Sequence, residues 1–196
     1  FKAPNAALPP ILAIAKAYGV GAVEKISGAG TLNLDLRAAG PVHALTSDQI
    51  MRALNGNMSI NLNNVRYAGS DISHELSAIG GFLKPAQKNQ GFTNIQKMTG
   101  NFLIRGGVAQ TNNLQAILDI AKVGVTGTAN LINGAVNLDV TAVFSKTFAQ
   151  QVGGTAIGGY MNTALANNEG ELVIPAVVTG TLQSPRFAPD VQKIAQ

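Results

Sequence analysis

Few residues of this chain are arranged for chemistry. Gly28-Ala29-Gly30 begins like a dinucleotide-binding loop, but such a loop follows a strand and opens a helix. Here the glycines lead into a strand, and Asn33 stands where a third glycine would be needed. His74-Glu75 begins like a zinc-protease helix, yet Ala78 occupies the place of the second histidine ligand. Asp35, Asp139 and Glu171 are isolated on polar faces, which gives paired-carboxylate hydrolysis no support. His43 lies near Pro41 with no evident partner, and His74 falls on the polar side of a helix. There is no nucleophile elbow, P-loop or EF-hand loop. Cysteine is absent, which removes disulfides, thiolate chemistry and cysteine-based metal sites. The expectation is a protein that is not an enzyme and carries no cofactor or metal.

The elements that would position a site are more informative. The chain of 196 residues is expected to form one domain with a real core. It is 46% hydrophobic, 12% charged and 5% aromatic, so it has too much apolar content and too little charge to stay disordered. The net charge of +4 comes from 14 scattered basic residues with no run of three, which excludes a nucleic-acid patch and leaves a weak attraction to anionic membrane surfaces. The first residue is Phe1, which suggests a fragment or a processed chain. No signal peptide is evident, and no apolar stretch reaches the roughly 18 residues a spanning helix needs.

The stretch 26–37 alternates strictly, with Leu32, Leu34 and Leu36 on one side and Thr31, Asn33, Asp35 and Arg37 on the other. Period-two alternation places these sets on opposite faces of a strand. The stretch 55–64 repeats the pattern with Met58, Ile60 and Leu62, and Val65 and Tyr67 prolong it past a bulge at Asn63-Asn64. Phe102 and Ile104 continue it in 92–104, which turns through Gly106-Gly107 into a return strand. That strand bulges at Asn112-Asn113 and runs on through 114–122. Val125 and Leu131 belong to a strand over 123–131; Leu138 and Val140 follow the Asn133-Gly134 hairpin signal. The last strand is 172–182, where Pro175 marks an edge or a bulge. Helical spacing and capping residues predict short helices over 8–18, 47–54 and 71–84, a loose helix or two in 147–168, and a helical tail after the prolines near the end.

These readings give a mainly β (α+β) fold, a curved, mostly antiparallel sheet with one apolar face, flanked by short helices. Early-strand glycines allow such a sheet to bend. Its greasy face must be covered by helices, closed into a barrel, or left as a groove for something apolar.

In order, ISGAGTLNLDLRAAG, LNGNMSINLNNVRYAGSDI, FTNIQKMTGNFLIRGGVAQTNNL and VGVTGTANLINGAVNLDV, closing on VTGT and PRFAPD, resemble the C-terminal domain of the AsmA family, proteins related to TamB. The similarity spans nearly the whole chain. The Gly-rich stretch 147–168 departs from the commonest pattern, and the family's membrane anchor is not in this sequence.

The resemblance implies a non-enzymatic, periplasmic domain held to the inner membrane by an N-terminal anchor outside this sequence. It also implies phospholipid or another acyl-chain lipid as ligand, envelope or outer-membrane proteins as partners, and a role in outer-membrane biogenesis. The lipid-facing floor would be Leu32, Leu34, Leu36, Met58, Ile60, Leu62, Phe102, Ile104, Val125, Leu131, Leu138 and Val140. On this reading Leu34→Asp or Ile60→Asp abolishes lipid binding and leaves the fold largely intact. The alternative is an assembly module that docks a partner strand on an open sheet edge.

Overall fold

The computed structural model describes residues 2–17, 19, 23–38, 46–79, 89–148 and 165–194. Among these, nine strands form a single sheet whose spatial order is the order of the chain. They are β1 (Lys2–Ala7), β2 (Ile26–Ala38), β3 (Leu54–Tyr67), β4 (Thr93–Arg105), β5 (Val108–Leu118), β6 (Ala121–Asn130), β7 (Val136–Phe144), β8 (Leu172–Thr181) and β9 (Ser184–Pro189). Every pairing is antiparallel. Short helices among the described residues include α1 (Leu8–Ala17), α2 (Ser47–Ala53), α3 (Ile72–Ala78) and α4 (Val191–Ile194). The protein is therefore mostly β, with few short helices.

Local chemistry explains most boundaries. Gly19, at φ 73°, donates its N–H to the Lys16 carbonyl and stops α1. Thr46 and Gln49 form a reciprocal capping box at the start of α2. Asp71 caps α3 through the His74 N–H. Asn64 takes a left-handed φ of 53°, and the β2–β3 register shifts across from it, so the bulge expected at Asn63-Asn64 is present. The β4–β5 and β5–β6 ladders both shift register around Asn112-Asn113, where the second bulge was expected.

Several expectations need correction. Residues 114–122 are not one strand; β5 ends at Leu118 and β6 starts at Ala121, with a tight connection at Asp119-Ile120. No glycine or proline marks this turn; its one trace is a change of parity, from Leu114, Ala116 and Leu118 to Ala121 and Val123. The residues from Ser184 do not pass directly into a helical tail but form β9 first. Pro185 and Pro189 share one strand parity, so their missing N–H groups fall on the open side of this edge strand. Pro175 accordingly sits not in an edge strand but in β8, between β7 and β9. It is tolerated because β9 pairing begins only at Ala176, and the Pro175 carbonyl accepts the Asp190 N–H. β1 was not expected; its six residues hold a proline and a register shift, which erase the alternation signal. α3 stops at Ala78, and the remainder of its expected span to 84 lies outside the described residues. The same is true of 149–164, most of the expected helical stretch 147–168.

Buried apolar side chains form one cluster that joins β2 and β3 to β7 and β8. Leu8 of α1 and Leu76 of α3 belong to it, and Phe144 and Phe148 stack inside it with ring centroids 4.6 Å apart. Among the described residues no helix is long and apolar enough to cross a membrane.

Candidate functional site

Strand register brings the expected lipid-facing residues together in rows. Leu34, Met58 and Phe102 face one another across β2, β3 and β4, and Leu32 lies opposite Ile60. Leu62 is opposite Gly30 on one side and Met98 on the other. A second group forms on β6 and β7, where Val125 faces Val140 and Leu138 faces Gly127. Six of the twelve are buried: Leu32, Leu34, Ile60, Leu62, Ile104 and Val140. Met58, Phe102, Val125 and Leu138 are half-buried and packed against the cluster. Ile104 is buried outside that cluster. Leu131 follows the end of β6, where its N–H donates to the Gly107 carbonyl at 2.8 Å. Leu36 is paired through its backbone with Gly56, and its side chain lies outside the described residues. Val65, Ile95, Val123, Ala142 and Ile174 share the same cluster. The alternation that marks Leu32 and Val140 marked these residues equally well.

A cavity of about 730 Å³ touches the first row. Leu34, Met58 and Phe102 border it through their strands, while Lys2, Asn33, Asp35, Asn57, Ser59 and Asn101 share the opposite strand parity, which places it on the polar face of the sheet. This size falls within the roughly 300–1,000 Å³ of ligand pockets. Lys2 and Asp35, cross-strand neighbours on β1 and β2, form an ion pair at 3.4 Å, so their charges largely offset each other.

Two side chains connect distant parts of the sheet. The Lys25 ammonium, just before β2, donates to the Gln183 carbonyl at 2.8 Å. The Tyr67 hydroxyl, at the end of β3, donates to the Leu182 carbonyl. Leu182 and Gln183 form the turn between β8 and β9, six places along the sheet from β2. That turn is itself held, because the Leu182 N–H donates to the Gly134 carbonyl at 2.9 Å. Burial pushes the Tyr67 phenol up to about 12 and keeps it neutral as a donor.

The polar residues considered for catalysis have structural partners. Gly28 and Gly30 lie within β2, and a Cβ on either would stand 2.7 Å from the Val65 Cα or 2.6 Å from the Leu62 Cα. They permit two strands to approach and form no phosphate cradle. Asp139 pairs with Lys193 at 3.3 Å, and Glu171 accepts a hydrogen bond from Asn167 at 3.0 Å. The buried Asp71 accepts the N–H groups of His74 and Gln90, and the buried Thr93 accepts the Ile72 N–H while donating to the Ser70 carbonyl. His43 lies outside the described residues. Among the described residues, no group of three or more His, Asp or Glu is placed to hold a metal. No family model, no curated protein and no solved structure matches the chain.

Proposed function

We propose that this chain is a non-enzymatic envelope domain that handles phospholipid along a curved, apolar β-sheet trough, as its AsmA-like sequence order implies. Acyl chains lie against the apolar rows while headgroups stay near water. Each buried methylene contributes about 0.8 kcal/mol, so one acyl chain is held by roughly ten kcal/mol before entropic costs. A continuous apolar floor lets a lipid slide while keeping that burial. Its setting is the periplasm, with an inner-membrane anchor upstream and envelope proteins as partners.

The observation that carries this reading is the row Leu34–Met58–Phe102, in register over three strands and continuous with the apolar cluster. Curvature is supported by the Lys25–Gln183 hydrogen bond. At ordinary strand spacing a flat sheet would hold strands six places apart at about 29 Å. Ordinary twist over the same six steps turns a strand by roughly 120–150° without shortening that separation, so the bond needs the sheet to bend back toward itself. The alternative of strand docking at an edge has less support. β1 carries Pro4 and β9 carries Pro185 and Pro189, and edge prolines discourage strand addition.

The test is native mass spectrometry with organic extraction of the purified chain, repeated after incubation with phospholipid vesicles. Phospholipid in a defined ratio, reduced in a Phe102→Asp variant that stays folded, supports the proposal. A clean apo mass with no uptake sinks it.

A further inference from the structure

The expected floor residues pose a problem of access. Leu32 and Leu62 are only 5% and 4% exposed, and Ile60 is 9% exposed, so an acyl chain reaches them only if the sheet opens. We infer that the Lys25 and Tyr67 hydrogen bonds to the β8–β9 turn form a clasp whose release admits an acyl chain sideways. This rests on the lipid-trough reading above and adds the route of entry.

The strand order identifies the weak line. β1 and β9 are the two ends of the ladder, and among the described residues no strand pairing joins them. Every other neighbour is held by a backbone ladder, which opens only by unzipping many bonds together. Among the described residues, hydrogen bonds from Lys25 to Gln183 and from Tyr67 to Leu182 join the β2–β3 side to the β8–β9 turn. Both are side chain-to-carbonyl bonds, so each can break by a rotamer change without disturbing a ladder.

Both sides of the clasp are preset. The turn is fixed by the Leu182–Gly134 hydrogen bond, which leaves the Leu182 and Gln183 carbonyls available to partners from the other side. On the facing side, a Cβ on Gly69 would collide with the Tyr67 ring, so that glycine leaves the ring its space. Beside it, the Arg66 guanidinium lies 3.8 Å over the Phe92 ring and steadies the same end of β3. Tyr67 and Lys25 are partly buried, so the bonds are sheltered from water while closed. Loosening them breaks no ladder and exposes the apolar cluster along one line.

The experiment follows transfer of a fluorescent phosphatidylethanolamine from quenched vesicles into the 196-residue chain. Tyr67→Phe and Lys25→Met keep the packing and remove the donors. Together they are expected to speed uptake roughly five- to tenfold without changing its endpoint, as loss of two modest hydrogen bonds would. In a second variant, Lys25→Cys with Gln183→Cys, the two new thiols are the protein's own only ones, and a cleavable bis-maleimide joins them. Uptake that stops on linking and returns on cleavage supports the clasp. Uptake at the unlinked rate by the linked protein overturns the clasp and leaves the lipid reading standing. No uptake by the unmodified chain overturns the lipid reading and the clasp with it.

Discussion

A Cβ on Gly30 would stand 2.6 Å from the Cα of Leu62, in the middle of the β2–β3 ladder. The neighbour is backbone and cannot turn aside. Gly30 also has φ 127°, which side-chain-bearing residues rarely adopt. Gly30→Ala therefore combines strain with overpacking and is expected to destabilise the protein by about 2–4 kcal/mol. Urea unfolding should show a lower midpoint with an unchanged slope. An unchanged midpoint would mean that β2 and β3 stand further apart than described.

Asn64 gives a paired prediction at the bulge. Its φ of 53° suits asparagine and glycine and disfavours β-branched residues. Asn64→Gly is expected to be nearly neutral, while Asn64→Val loses about 1–2 kcal/mol. Equal stability of the two variants would show that the left-handed conformation is not required there.

The Asn64 bulge was legible because two adjacent polar residues broke an otherwise strict count. The other errors have equally local causes. The turn at Asp119-Ile120 was hard to see because no glycine or proline marks it and its only trace is the switch of apolar parity between Leu118 and Ala121. β9 was missed because prolines mark the ends of central strands and are permitted on edge strands, and sequence alone does not say which strand is the edge. Of the site, Leu34, Met58 and Phe102 were legible as members of one face. Their assembly into one row depends on register, which pattern alone does not carry across the helical connections that join β2, β3 and β4. The links from Lys25 and Tyr67 had no sequence signal, because they join residues 158 and 115 positions apart.

The Tyr67 phenol sets a direction for alkaline pH. Its folded value is about 12 against an ordinary value of 10.0, raised by burial. The folded state thus holds the proton more tightly than the unfolded chain. The stabilisation is complete below the unfolded value and is lost as pH rises through the folded one. Urea midpoints should fall between about pH 10 and 12 in the parent chain and fall less steeply in Tyr67→Phe. Identical pH profiles for the two proteins would show that the hydroxyl is solvated rather than held on Leu182.

Asp71 is buried and accepts two backbone N–H groups, from His74 at 3.0 Å and Gln90 at 2.9 Å. Asp71→Ala leaves both donors without this acceptor and is expected to cost about 1–3 kcal/mol. Hydrogen exchange should accelerate at His74 and Gln90 first, while the amides of β7 and β8 keep their protection. Uniform acceleration across the sheet would instead make the α3 cap a global rather than a local support.

Burial separates two substitutions that alternation alone treats alike. Ile60 is 9% exposed within the central cluster, so Ile60→Asp places a charge among apolar side chains and is expected to unfold the chain. The same holds for Leu34→Asp, against the expectation from pattern that these changes spare the fold. Phe102 is half-buried, so an aspartate there keeps a path to water. Phe102→Asp should retain the far-ultraviolet circular dichroism of the parent and lower lipid uptake at least tenfold, the equivalent of about 1.4 kcal/mol of lost binding. Circular dichroism decides the first point and vesicle transfer the second. If Ile60→Asp folds and loses lipid, the buried rows are themselves in contact with solvent and ligand. If Phe102→Asp folds and binds lipid as the parent does, the row Leu34–Met58–Phe102 is not part of the trough.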